Sequence, residues 1–421
     1  MVRFAVIAFP GTTGETETVR AFRQNGMEAE IVLWNDAGMI KGSRCDDFDG
    51  YCLPGGMSFG DYGRGGLLAS RQPILEVIRK EAAKGKVILG IGNGAEILVE
   101  SGMIPGYGNG AVACAVERRM RADGSEGGWS SLRNVAPKNR SAFNRFAGGL
   151  RLVGMNPPRR FVFGDPAVLE AVRKNSQIVF RFGDQGKGRG SDSQEAESIA
   201  ALCNPSGNVL AILSHPEQDP QGGGNPIFQS IREWIESRSQ SGYSALGLYQ
   251  GIQSIKPFAP ADVEFIVRTK SVDNERKMVE AALEAKGLKV NLKRYTYWSA
   301  KLKSGAEGME TVRRILESGV LANLNKDWVT VRIAGGSYQY KEGRGLQDIE
   351  LDSSKWLVVC EKADFVGSSI GDELRERWNM PVESLAHGIL WEVENADDQT
   401  VYEVIRTKIL YNPNSMFVMR Q

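Results

Sequence analysis

Short apolar runs recur at a regular beat through the first 237 residues: Phe4–Phe9, Glu30–Trp34, Tyr51–Leu53, Val87–Ile91, Ile178–Phe182, Ile199–Cys203 and Val209–Leu213. Between several of them apolar positions return at spacings of three and four, as in Pro73–Ala83 and Glu96–Ser101, which predicts helices. Runs that are apolar throughout predict strands buried on both faces, and their alternation with helices predicts an α/β layer structure. Two stretches break the beat. Glu117–Arg151 is basic and poorly periodic, with Arg118, Arg119, Arg121, Arg133, Lys138, Arg140 and Arg145, and Asp184–Glu197 is polar and Gly-rich. Each reads either as solvated surface or as a segment that approaches an anionic ligand.

From Arg238 to Ala261 the chain turns to Ser, Gly, Gln and Pro, the composition of a linker. The remaining residues hold an internal repeat. Its first copy, residues 262–334, runs DVEFIVRTKS, ERKMVEAALEAKG, KVNLKRYTYWSAKL, METVRRILESGVLAN and DWVTVRI. After a connector at 335–354, the second copy (355–421) runs KWLVVCEKAD, SIGDELRERW, ESLAHGILWEVEN, TVYEVIRTKILYN and SMFVMRQ. Leu321-Ala-Asn323 and Leu410-Tyr-Asn412 hold the same place in each, 89 residues apart. Each copy is predicted as an α+β unit of β-α-β-β-α-β order. One such unit leaves a sheet face and edges open, so pairing two buries apolar surface.

Charge and cysteine content narrow the function classes. The 421 residues carry 52 Lys and Arg against 51 Asp and Glu, a net charge of +1 that gives no reason to expect nucleic acid or an anionic membrane as partner. Cys45, Cys52, Cys114, Cys203 and Cys360 form no CxxC pair and no zinc spacing, so they read as buried or incidental thiols, and no metal site is expected. No run approaches the ~18 apolar residues of a membrane span. The opening MVRFAVIAFPG reads as a strand and turn rather than a signal peptide, which leads to the expectation of a cytoplasmic protein.

Three stretches carry chemistry. Leu53-Pro54-Gly55-Gly56, at a strand end, lets backbone N–H groups point into a cleft and stabilise an oxyanion, although Pro-Gly-Gly is also an ordinary turn. VILGIGNGAEIL (Val87–Leu98) is a strand, a Gly-rich turn and a helix start, the elbow on which hydrolases place a nucleophile, and its apex is Gly92. Leu213-Ser214-His215-Pro216-Glu217 offers a base with an orienting carboxylate. His215 and His387 are the two histidines of the chain, so His215 is the candidate base of the first domain; a structural role for it stands equally open on these residues alone.

In order and spacing, these stretches resemble the class I, triad-type glutamine amidotransferases, in particular the PurQ glutaminase subunits of formylglycinamidine ribonucleotide synthetase. The resemblance rests on FPG at Phe9–Gly11, LPGGMSFGDYGRGG at Leu53–Gly66, LGIGNGAEIL at Leu89–Leu98 and CNPSGNVLAILSHPEQ at Cys203–Gln218. It implies a flavodoxin-like three-layer α/β domain over residues 1–237, followed by the linker at 238–261. The two C-terminal units are similar to PurS, the small protein of the multi-subunit enzyme, and a tandem pair would stand in for a PurS dimer. His215 and Glu217 match two triad positions, Gly56 and Asn93 match the oxyanion-hole backbone, and Gly55, Ser58, Gly60 and Asp61 fall in the matching substrate loop.

The departures shape the functional expectation. The family's elbow reads Gly-Ile-Cys-Asn-Gly, and its Cys attacks the glutamine amide; here the matching residue is Gly92, leaving His215 and Glu217 as vestigial partners. The family's His-Gly-Glu stretch is also absent from the nearest equivalent, Gly154–Phe161. Glycine adopts the elbow's unusual backbone without the ~1–3 kcal/mol of strain a side chain carries there. The expected function is a scaffold without glutaminase activity, partnering a PurL-like ATP-dependent synthetase in purine biosynthesis or a derived pathway. No cofactor is expected in this chain; ATP and Mg belong on the partner. Self-association through the repeats is a further expectation. Two alternatives stand: an active glutaminase, through an engineered replacement of a natural Cys at position 92 or through Cys52, and a regulatory pseudo-enzyme that senses glutamine or a nucleotide.

Overall fold

The computed structural model describes all residues except 119–127, 154–158, 184–197, 219–221, 223, 241, 253, 259–260, 342, 352–354 and 421. The chain divides into two units, Met1–Ile252 and Gln253–Gln421.

In the first unit the strands are β1 Arg3–Ala8, β2 Glu28–Leu33, β3 Gly50–Leu53, β4 Val87–Ile91, β5 Ala115–Arg118, β6 Trp129–Asn134, β7 Gly149–Val153, β8 Arg159–Val162, β9 Ile178–Phe182, β10 Ile199–Cys203 and β11 Val209–Ile212. The helices are α1 Glu15–Gln24, α2 Ala37–Ile40, α3 Leu67–Ser70, α4 Pro73–Ala83, α5 Asn93–Glu100, α6 Pro166–Lys174 and α7 Asn225–Glu236. One sheet runs β2-β1-β3-β4-β11-β10-β9-β6-β7. From β2 to β11 its neighbours are parallel, and beyond β11 they are antiparallel. Alternate side chains feed two cores. Ile7, Leu53 and Ile88 pack with α4, α5 and α6, whereas Phe4, Cys52 and Leu89 pack with α1 and α7, giving three layers.

The segment Glu117–Arg151 holds β6 and β7, which its composition did not predict: they are half-exposed and polar, so no continuous apolar run marks them. Two of its cations do structural work. Arg140 is fully buried, donates to Asn175 O (3.0 Å) and stacks on Tyr243, and Arg145 donates to Ser237 and Ser239. Arg119 and Arg121, and the whole Asp184–Glu197 stretch, lie outside the described residues.

The expected linker is ordered along much of its length. Asn109 donates to Tyr249 O (2.8 Å), Gly108 N to Gly247 O, and the Tyr107 and Tyr249 rings lie 5.2 Å apart, which carries the first unit beyond the expected end at 237. Residues Ile255–Pro257 form β12 in the second unit.

The second unit contains β13 Val263–Thr269, α8 Asn274–Glu284, β14 Asn291–Leu302, α9 Gly308–Ser318 and β15 Asp327–Ile333. Next come β16 Gly336–Lys341 and β17 Gly345–Asp348, then β18 Trp356–Glu361, α10 Phe365–Glu376, β19 Val382–Glu394, α11 Asp398–Arg406 and β20 Met416–Arg420. The two copies form one sheet, β12-β20-β18-β19-β14-β13-β15-β16-β17, antiparallel except at β12. Each copy is β-α-β-α-β rather than β-α-β-β-α-β. KVNLKRYTYWSAKL has no Gly or Pro to turn it, so it runs as one 12-residue strand, and the 13-residue β19 pairs along it with Tyr297 opposite Gly388. The supposed connector is a β16–β17 hairpin that covers the β15 edge, and β12, bearing Lys256 and Pro257, covers β20. The outer strands of the paired repeats are thus covered by other segments of the chain, and β12 and β17 form the edges of the sheet. Among the described residues no helix is long and apolar enough to cross a membrane.

Candidate active site

Parallel strands all present their carboxyl ends to the same edge, and the loops leaving β1, β3, β4 and β11 meet there. The chain passes from β1 outward to β2 and then back to β3 on the other side, the switch point at which such sheets open a crevice. At the β4 exit Gly92 has φ 56° and ψ −111°, left-handed backbone that disfavours any side chain. Its N–H donates to Ile212 O (2.8 Å), tying the elbow to β11, and Gly94 N–H donates to Pro54 O (3.0 Å), tying α5 to the glycine loop. A Cβ on Gly94 would lie 1.9 Å from Leu53 O, so the helix can approach β3 this closely only with glycine there.

The β11 exit carries His215. Its Nδ1–H donates to Glu217 Oε1 at 2.7 Å, which leaves Nε2 as the proton acceptor; the Glu217 side chain is fully buried and the imidazole nearly so. Gly55 sits against the ring: a Cβ there would come 2.8 Å from Cε1. Gly56, at φ 121°, is likewise closed to a side chain by Gly11 O and Thr13 N. The loop is stapled to the FPG turn by Thr13 N to Gly55 O, Met57 N to Gly11 O and Phe59 N to Pro10 O. The geometry therefore brings Gly55 to the His215–Glu217 pair and ties the elbow to β11 and to the glycine loop.

Ser58, Gly60 and Asp61 belong to the same structure. Phe59, Gly60 and Asp61 are left-handed in succession (φ 52°, 71° and 54°). Asn93 accepts from Ser58 N (3.0 Å) and donates to Asp61 (2.9 Å) and Glu96 (2.7 Å). Beneath lies a group that the sequence did not single out: Arg159 of β8 pairs with Asp61 (3.5 Å) and Glu96, all three side chains about 95% buried. Burial pushes the Glu96 carboxyl up to about 7, with Asp61 adding to the rise and Arg159 opposing it. Arg159 lies within the Gly154–Phe161 stretch, of which Gly154–Pro158 lie outside the described residues. Its partners stand some sixty to a hundred positions away in the chain, so no local pattern marks it.

Cys52 is fully buried on β3 in the core facing α1 and α7, and burial raises its thiol well above the ordinary range, with Glu217's charge adding to it. The other four cysteines are also buried, and none is in a disulfide.

Residues 1–242, more than half the chain, match the CobB/CobQ-like glutamine amidotransferase domain. The chain belongs to this glutamine amidotransferase family. Its first unit is 37% identical over 266 residues to the phosphoribosylformylglycinamidine synthase subunit PurQ of Methanothrix thermoacetophila, covering 56% of this chain and 99% of that one. It is 33% identical to the PurQ subunit of Pyrococcus furiosus, covering 56% and 100%. A solved structure of PurLQS from Thermotoga maritima is similar at 30% identity over 56% of this chain and 99% of that chain, with a TM-score of 0.43. The amidotransferase domain is therefore PurQ-like, and the family match ends before the second unit.

Proposed function

We propose that this chain is a PurQ-type subunit that has lost glutamine hydrolysis and serves as the structural partner of a PurL-like, ATP-dependent synthetase, in purine biosynthesis or a pathway derived from it. The carrying observation is the elbow itself: Gly92 occupies its left-handed apex and offers no side chain to attack an amide. Asn93 and Gly94 beside it bring no thiol, and the buried Cys52 thiol is held protonated in the core. A base and an oxyanion loop without a nucleophile leave only a small remnant of rate. The synthetase would carry ATP and Mg, this chain none, and the tandem C-terminal units would take the place of a PurS pair. The test is co-purification with a PurL-like synthetase, then assay with glutamine and separately with ammonium. Product is expected from ammonium alone, with no glutamate released; glutamate release above background overturns the reading. Gly92→Cys should make the elbow alkylatable at a cost of about 2 kcal/mol from the strained backbone, with full activity not expected because the Gly154–Phe161 stretch is also altered.

The intact His215–Glu217 pair favours a second reading, in which the crevice binds glutamine without turnover and signals its presence. Thermal stabilisation by glutamine, without glutamate release, would select it.

A further inference from the structure

We propose that Asn93 is the positioning residue of the crevice: its one side chain locks the left-handed loop Ser58–Asp61 to the elbow, so that loop and elbow keep a single relative geometry. Three observations converge on it. First, non-glycine residues in left-handed backbone cost about 1–3 kcal/mol each and persist only where their surroundings over-determine them. Phe59 and Asp61 are two such residues flanking Gly60. Second, Asn93 is 1% exposed and spends its side-chain carbonyl on Ser58 N and its amide on Asp61 and Glu96, bracketing the strained segment at both ends. Third, α5 continues the grip along one face. Glu96 lies where Gly65 leaves no room for a Cβ (2.5 Å), and Glu100 takes Arg64 in a bidentate pair at 2.8 and 2.7 Å. Asn93, Glu96 and Glu100 stand at i, i+3 and i+7, so one helix face holds the whole loop.

A neutral amide is what this place requires. The charged groups facing it are Asp61 from the loop, Glu96 from its own helix and Arg159 from β8, two carboxylates to one guanidinium. Asparagine accepts from the backbone and donates to both carboxylates. Aspartate keeps the shape and the bond from Ser58 N, but it loses both donors and adds a third negative charge. The inference is independent of whether the crevice turns over glutamine, because it concerns how the loop is held.

Hydrogen exchange of the loop amides in the full chain tests it. Asn93→Ala should speed exchange at Ser58 and Gly60 about tenfold relative to the parent, while amides in β1 and β4 keep their rates. Asn93→Asp should show a similar excess at pH 8 that shrinks to about twofold at pH 5, as the Glu96 carboxyl beside it takes up a proton. A purely space-filling role would not move with pH. Loop exchange in Asn93→Ala within twofold of the parent, or an Asn93→Asp excess that is flat from pH 5 to pH 8, overturns the proposal. Should Asn93→Ala not fold, the near-isosteric Asn93→Asp still decides it, through its excess over the parent at pH 8 compared with that at pH 5.

Discussion

The two units handle buried polar groups in opposite ways. In the first, Asn93, Asp61, Glu96, Arg159, His215 and Glu217 gather in and around the loops at one end of a parallel sheet. In the second, the comparable group sits in the middle of strands: Tyr297 of β14 donates to Glu264 of β13 at 2.5 Å, and Arg332 of β15 pairs with Glu264 at 3.2 Å and stacks on Phe258 and Trp356. Parallel strands end together, so their loops can assemble a crevice; antiparallel strands end alternately, and their polar groups join neighbouring strands instead. The first arrangement gathers polar groups around one crevice, and the second ties β13, β14 and β15 to one another. This is why the functional reading rests on the first unit.

The contrast breaks most severely where the crevice depends on close backbone approach. Gly94→Ala would drive a Cβ into Leu53 O and should cost about 3 kcal/mol or more, or prevent the first unit from folding. Gly319→Ala, after α9, has open space around it and only a left-handed φ of 68° to oppose it, so it should cost about 1 kcal/mol. Denaturant unfolding of the two variants compares them directly. Equal losses would mean that the α5–β3 approach is not what fixes the elbow.

A smaller effect separates the polar clusters by pH. The Glu96 carboxyl is raised to about 7 in the folded chain against an ordinary value of 4.5, so the folded state binds a proton that the unfolded state releases. Its contribution to stability is therefore fully present below about pH 4.5 and declines as pH rises through 7. Glu96→Gln should flatten that decline and leave the first unit about 2 kcal/mol more stable than the parent at pH 8. The slowest-exchanging amides of β4 report it. A decline that persists unchanged in the variant would assign the pH dependence elsewhere.

Legibility in the sequence divides along the same line. β1, β3, β4, β9, β10 and β11 were readable to within a residue or two because they are apolar on both faces, and the elbow and glycine loop were readable because glycine marks backbone that other residues resist. Half-exposed β6 and β7 carried no such mark. The long central strand of each copy reads as two from the sequence, since a repeat fixes the order of elements but not whether the chain turns between them. Arg159 was illegible for a different reason: its role is set by Asp61 and Glu96, brought to it only by the sheet. Buried ion clusters assembled across strands leave no periodicity to read.

The smallest effects compare the two repeats with each other. The recurring asparagine has a physical explanation in both copies: its side-chain oxygen accepts from the N–H two residues on, Asn325 for Asn323 (3.1 Å) and Asn414 for Asn412 (3.0 Å). Its backbone carbonyl accepts from the third and fourth residues beyond, Lys326 and Asp327 or Ser415 and Met416. This Asx turn steers the chain from the second helix of each copy into its closing strand. The surroundings differ. Asn323 is exposed, whereas Asn412 is 1% exposed and also accepts from the Asn414 side chain. Water can replace the lost oxygen in Asn323→Ala, so about 0.5 kcal/mol is expected. In Asn412→Ala the Asn414 groups are left buried without that acceptor, so about 2 kcal/mol is expected. Chemical denaturation of the two variants, monitored in the second unit, measures the difference. Equal costs would show that the turn acts through its backbone geometry alone, and that the repeats are energetically interchangeable at this position despite their unequal burial.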